Sequence, residues 1–112
     1  MLPRGYGTII YSGASAALRG RAAFAAFAAA KAGLRMVSQS FAREFGPRGI
    51  HVAHVIIDGD KIFSKIPDIG QQKGPDGLLH LDVIADSYWY LHTQHRSAWS
   101  QELDVRPYAE TF

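Results

Sequence analysis

The pattern of hydrophobic and polar positions predicts two strands separated by one long helix. Gly7 to Ser12 is short, uncharged and rich in β-branched residues, which is typical of a buried strand. From Ala22 to Phe45 large side chains recur every three or four residues, which predicts a helix that ends at the following glycine and proline. Ile50 to Ile57 is apolar again and predicts a second strand, so the three elements form a parallel βαβ unit. The helical stripe consists of Phe24, Phe27, Lys31, Leu34, Val37, Phe41 and Phe45.

The C-terminal part of the chain predicts a long loop, a second helix and a third strand. Asp58 to Gly77 holds four glycines and two prolines, and an irregular connection of that length is often functional. Asp82 is a suitable N-cap for a helix over Val83 to His92. Gln101 to Arg106 alternates between apolar and charged residues, which predicts a strand at the edge or end of the sheet. Its apolar face consists of Leu103 and Val105, and its charged face of Glu102, Asp104 and Arg106.

These elements place the chain in the α/β class, as a partial Rossmann-like parallel sheet with about three strands and two main helices. At 112 residues the chain is one domain at most, which we take to span residues 1–112. A doubly wound sheet usually has about five strands or more, and two helices cover both faces of three strands poorly. The sequence also contains no glycine-rich dinucleotide-binding loop. We therefore expect either a partner chain or a missing N-terminal half that carries this loop.

Composition and charge exclude several kinds of protein. Twelve Lys and Arg face ten Asp and Glu, and a scattered net charge of +2 does not predict nucleic-acid binding. The absence of cysteine excludes disulfides and thiolate metal sites, and His51 and His54 fall on opposite faces of the predicted strand, which argues against a metal. No segment has the roughly 20 apolar residues of a membrane span or the apolar core of a secretory signal. We therefore expect no metal, no nucleic acid, no membrane and a cytoplasmic location.

Two runs of residues carry a pattern that is known from one family. Phe27 to Leu34 reads Phe-x-x-x-Lys-Ala-Gly-Leu, and Ala42 to Val52 reads Ala-Arg-Glu-Phe-Gly-Pro-Arg-Gly-Ile-His-Val. This register resembles the C-terminal half of the short-chain dehydrogenase/reductase superfamily, whose helix carries Tyr-x-x-x-Lys and whose next strand begins Gly-Ile-x-Val. The resemblance runs from about Gly5 to about Gly59, and more loosely to Arg106. It implies NAD or NADP as the cofactor and a small carbonyl or alcohol compound as the substrate.

The family's catalytic residues map onto this chain with two substitutions. In the family, the lysine lowers the pKa of a tyrosine one helical turn before it and binds the nicotinamide ribose. The resemblance therefore makes Lys31 a catalytic and cofactor-binding residue, but Phe27 stands at the tyrosine position and has no proton to exchange. Ala14 stands where the family has the serine that orients the substrate carbonyl. We assign that role to Ser12, which shares the strand face of Ala14, and Ser15 is the alternative.

Asp58 and Gly59 follow the second strand, where the family has the Pro-Gly that borders the nicotinamide. The resemblance therefore implies that both residues lie at the cofactor. A carboxylate at Asp58 is either a substitute acid or base, or a cap on the turn. We favour the cap.

Two functions remain open at this point. The first is an NAD(P)-dependent oxidoreductase that acts in its full-length form, with this chain inactive by itself because the glycine-rich loop is absent. The second is a non-catalytic binding or oligomerisation module, a pseudoenzyme, because Phe27 and Ala14 remove the proton chemistry and an Ala/Phe-rich helix suits close helix packing. In family members this helix packs against its symmetry mate, so the resemblance implies a homo-oligomer. We also expect the chain to be a fragment of a longer protein.

Overall fold

The computed structural model describes residues 1–59 and 74–111. Within these residues it has an α/β fold with three parallel strands and two α-helices, as the sequence predicts. The strands β1 (Gly7–Ala14), β2 (Ile50–Ile57) and β3 (Glu102–Val105) lie in the order β1-β2-β3, so β2 is in the centre. Helix α1 (Ala25–Phe45) connects β1 to β2, and helix α2 (Leu81–Thr93) precedes β3.

The two helices pack on opposite faces of the sheet, because side chains alternate along each strand. On one face, Val55 of β2 packs with Leu91 of α2, and both are fully buried. On the other face, His54 of β2 and Glu102 of β3 meet Arg35 of α1. The predicted division of β3 into an apolar and a charged face is therefore confirmed. The apolar cluster consists of Ala53, Val55 and Leu91, with Ile10, Ile57, Tyr88, Leu103 and Val105 packed against it.

The bounds of the two helices differ from the prediction at their N-termini. The predicted start of the first helix at Ala22 is wrong, because Ala23 has a left-handed φ of 69° and helical geometry begins at Ala25. The prediction of Asp82 as the N-cap of the second helix is also wrong. That helix begins at Leu81 with His80 as its N-cap, and Asp82 lies in the first turn, where a carboxylate still complements the helix dipole.

The aromatic stripe predicted on α1 is only partly covered by the sheet. Phe24, Phe27 and Val37 are 51%, 47% and 43% exposed. The residue of α1 that is fully buried is Ser38, whose hydroxyl donates a hydrogen bond to the carbonyl of Arg35 at 2.7 Å. The face of α1 that meets the sheet is therefore partly polar, and an apolar edge of the helix remains exposed.

Candidate functional site

The carboxyl ends of the three parallel strands meet at one edge of the sheet, where ligands bind in open α/β folds. A short 3₁₀ turn, Ser15–Ala17, follows β1, while Asp58 follows β2 and Arg106 follows β3. Residues 60–73 of the predicted loop lie outside the described residues. A polar cavity of about 480 Å³ opens at this edge, lined by Ser15, Arg19, Arg21, Asp58, Glu110 and Thr111. A smaller cavity of about 100 Å³ is lined by Ser15, Ala16, Arg19, Arg21, Phe24 and Phe27.

Helix α1 brings Lys31 to the end of β1. Its ammonium donates a hydrogen bond to the backbone carbonyl of Ser12 at 3.3 Å and lies 5.8 Å from the centre of the Phe27 ring. Residues four apart lie one above the other on a helix, which explains why these two side chains are neighbours. A lysine ammonium has three donors, and this bond uses one of them. The other donors could bind hydroxyls such as those of a ribose. The catalytic and cofactor-binding roles predicted for Lys31 stay predictions.

The two serine candidates have different surroundings at the end of β1. The hydroxyl of Ser12 contacts the hydroxyl of Tyr88 on α2 at 2.5 Å, so it lies on the face opposite α1. Ser15 instead lines the smaller cavity together with Phe27. The structure therefore brings Ser15, rather than the Ser12 side chain, to the Phe27 position. The catalytic role assigned to Ser12 stays a prediction.

Asp58 is held by an arginine that follows β3. Its carboxylate accepts a hydrogen bond from Arg106 Nη1 at 2.7 Å, and its backbone N–H donates to the carbonyl of Val105 at 3.0 Å. Arg106 Nη2 also binds the Asp104 carboxylate at 2.6 Å. The pKa of Arg106 is raised mainly by Asp104, with smaller contributions from Asp58 and Glu110. These contacts tie the ends of β2 and β3 together and give Asp58 a structural partner.

Gly59 has a left-handed φ of 97°, which favours glycine. A Cβ at this position would lie 2.7 Å from Pro107 Cδ, so a side chain would also clash. The glycine is thus explained by the close approach of the segment after β3. The cofactor-binding roles predicted for Asp58 and Gly59 stay predictions.

A buried polar network between α1 and the sheet was not predicted from the sequence. His54 of β2 is fully buried, and its Nδ1–H donates to the Glu102 carboxylate of β3 at 3.0 Å. Arg35 of α1 donates two hydrogen bonds to the same carboxylate, at 2.8 and 3.0 Å, and holds the pKa of Glu102 below its usual value. His54 Nε2 makes no hydrogen bond within the described part of the chain and faces Gly13 of β1.

The two histidines of β2 have separate partners. His51 stacks on Trp99 with ring centres 4.7 Å apart, and its Nε2–H donates to the carbonyl of Ser100 at 2.8 Å. His54 binds Glu102 on the other face. Within residues 1–59 and 74–111, no group of three potential metal ligands comes together. In the same residues, no helix is long and apolar enough to cross a membrane.

Comparison with known proteins places these features in a family. A family model for short chain dehydrogenases matches residues 1–59. The crystal structure of a short-chain dehydrogenase from Rhodopseudomonas palustris is 44% identical, with a TM-score of 0.73, and the match covers 96% of this chain and 42% of that one. No curated protein sequence matches this chain.

More distant structures show the same fold. Serine dehydrogenase from Escherichia coli is 18% identical with a TM-score of 0.79, and the match covers 100% of this chain and 45% of that one. A gluconate 5-dehydrogenase from Burkholderia cenocepacia, in complex with NADP and tartrate, is 19% identical with a TM-score of 0.74. The match covers 94% of this chain and 45% of that one. This chain therefore spans less than half the length of these three structures.

Proposed function

Because this chain belongs to the short-chain dehydrogenase family, we propose that its full-length form is an NAD(P)-dependent oxidoreductase of a small carbonyl or alcohol compound. The observation that carries the proposal is Lys31, whose ammonium lies at the carboxyl end of β1 with donors left for a ribose. The gluconate 5-dehydrogenase solved with NADP supports the choice of cofactor. When bound, the cofactor would supply or accept a hydride.

The proposal gives this chain a binding role and leaves proton transfer incomplete. Lys31 would bind the ribose, and Asp58 and Gly59 would border the nicotinamide. Phe27 can neither give nor take a proton, so the ammonium of Lys31 has no phenol to act on. Ser15 is the hydroxyl that lines both cavities. The carboxylates among the described residues of these cavities are Asp58 and Glu110, and both interact with Arg106. Neither is therefore a free base for Ser15. We therefore propose that this chain by itself does not turn over substrate.

A second candidate function is a non-catalytic assembly module. Helix α1 exposes Phe27, Met36 and Val37, which are 47%, 51% and 43% exposed, along with the small residues Ala30 and Gly33. Small residues allow two helices to approach closely, and the larger apolar ones supply area to bury. This exposed face of α1 supports a homo-oligomer in which copies of the helix pack together.

Cofactor affinity tests the first proposal. In full-length protein, Lys31→Gln removes a charged hydrogen bond to the ribose, a type of bond worth about 1.5–3 kcal/mol. We expect NADH or NADPH to bind roughly 10- to 100-fold more weakly in a fluorescence titration. Arg48→Gln is the matched control, because it removes one exposed positive charge beyond the far end of α1. Equal affinities of wild type and Lys31→Gln would refute the proposed role of Lys31.

Phe27→Tyr separates the two candidate functions. The substitution restores a phenol one helical turn from Lys31, so an oxidoreductase site should gain turnover of a carbonyl test compound with NADPH or NADH. Sedimentation velocity measures the assembly of the same samples. Full-length protein that binds neither cofactor, with or without the phenol, and that dissociates when Val37→Glu is introduced on α1 would favour the assembly module.

A further inference from the structure

Two arginines in the loop between β1 and α1 have no ion-pair partner within the described residues. Arg19 and Arg21 line both cavities at the carboxyl edge of the sheet, and both are exposed. Neither makes a hydrogen bond or an ion pair there, in contrast to Arg35 and Arg106. A guanidinium offers five N–H donors in a fork that matches a carboxylate or a phosphate. Two such groups beside one cavity therefore suit an anionic ligand.

The acidic residues of the larger cavity interact with a different cation, Arg106. The Asp58 carboxylate lies 2.7 Å from Arg106 Nη1. Glu110 also acts on Arg106, because its charge contributes to the raised pKa of that guanidinium. The positive charges of Arg19 and Arg21 are thus left without a carboxylate partner among the described residues, in a cavity that Ser15 also lines.

The smaller cavity adds an apolar wall to the same two arginines. Phe24 and Phe27 line it and are 51% and 47% exposed, and the Phe27 ring adjoins the Lys31 ammonium. We propose that Arg19 and Arg21 form an anion-binding subsite, and that the substrate is a small organic acid whose apolar part lies against Phe24 and Phe27. This inference rests on the proposed function, since that function makes the cavity a substrate site.

Binding of benzoylformate and of its neutral methyl ester to full-length protein tests the inference. The two compounds share the phenyl ring and the keto group and differ in charge. We expect the acid to bind about tenfold more tightly or better, which is the value of one charged hydrogen bond, and to shift the side-chain Nε–H signals of Arg19 and Arg21 in NMR spectra. The preference should shrink at 1 M salt, because exposed charges are screened. The double variant R19Q/R21Q should bind both compounds equally, whereas R48Q should keep the preference.

The outcomes separate this inference from the function on which it rests. Equal binding of acid and ester, in protein that still binds NADPH through Lys31, overturns the subsite and leaves the oxidoreductase proposal intact. NADP⁺ that shifts the same two arginine signals and displaces benzoylformate assigns the arginines to a cofactor phosphate and also overturns it. A selective anion site in protein that binds neither NADH nor NADPH overturns the substrate assignment together with the proposed function. Thermal unfolding of R19Q/R21Q at the wild-type temperature establishes that its loss of preference is local.

Discussion

A single methyl group added at Gly13 should destabilise the protein strongly. A Cβ built at this position would lie 2.8 Å from His54 Cε1 and closer still to Nε2, whereas carbon atoms in contact are normally about 3.5–4.0 Å apart. The His54 ring cannot easily yield, because it is fully buried and its Nδ1 is bound to Glu102. Overpacking of this kind costs about 1–3 kcal/mol, and loss of the bond to the Glu102 carboxylate would add about 1.5–3 kcal/mol. We therefore expect Gly13→Ala to lower the free energy of unfolding by about 3 kcal/mol.

A double-mutant cycle, measured by urea unfolding, tests whether contact with the His54 ring causes the destabilisation by Gly13→Ala. His54→Ala removes the ring that the new methyl group meets, so the double variant should be at least about 1 kcal/mol more stable than the sum of the two single effects predicts. Gly46→Ala is the matched control, because Gly46 has helical φ and ψ angles and a Cβ added there would meet no atom of the described residues within 4 Å. This control should stabilise the protein slightly, by about 0.4–1 kcal/mol, since alanine restricts the unfolded chain more than glycine does.

Two results would refute this reasoning. One is a Gly13→Ala protein with wild-type stability, which would mean that β1 or the ring moves freely. The other is simple additivity in the cycle, which would place the cost of the methyl group somewhere other than the contact with His54. A change in the slope of the urea transition, rather than in its midpoint, would indicate that the unfolded state had changed instead.

Two further predictions concern the remaining packing of the sheet. Glu102→Gln should lower the free energy of unfolding by about 1.5–3 kcal/mol at pH 7, the value of a charged hydrogen bond. Because Arg35 depresses the folded-state pKa of Glu102 below 4.5, this contribution is complete above pH 4.5 and disappears as the pH falls through the folded-state value. The gap between wild type and variant in urea unfolding should therefore narrow below pH 4.5, and a gap independent of pH would contradict the assignment. Leu91→Ala should cost about 2–5 kcal/mol, because the side chain is fully buried against β2. Leu81→Ala, at a position 40% exposed on the same helix, is the control and should cost under about 1 kcal/mol by thermal unfolding.

The elements of this fold could be predicted where one local rule decides the outcome. β2 has the predicted bounds, because a short apolar run that directly follows a glycine fits few structures other than a buried strand. The start of α1 was predicted too early, because helix propensity favours the alanines while the left-handed turn at Ala23 depends on the preceding loop. His80 could not be predicted as the N-cap of α2. Sequence rules for N-caps rely on a side chain that binds the backbone N–H groups of the first turn, and His80 makes no such hydrogen bond.

In the candidate site, too, local rules predict some features, whereas contacts between elements could not be predicted. The placement of Lys31 beside Phe27 follows from helical spacing alone. The network of Arg35, His54 and Glu102 joins three elements, and strand periodicity gives only the face of each residue, not its partner. Ser12 shares a strand face with Ala14, as alternation requires, but the contact with Tyr88 identifies that face as the one covered by α2.

Phe27 is not explained by the packing of the fold. Its ring is 47% exposed and lines a small cavity, so it buries much less apolar area than a core phenylalanine. A tyrosine hydroxyl at the same ring position would reach solvent or the cavity, and burial would impose no desolvation cost on it. The described packing around Phe27 therefore does not require the loss of the phenol. For this reason, activity gained by Phe27→Tyr would report on the chemistry of the site and not on the stability of the protein.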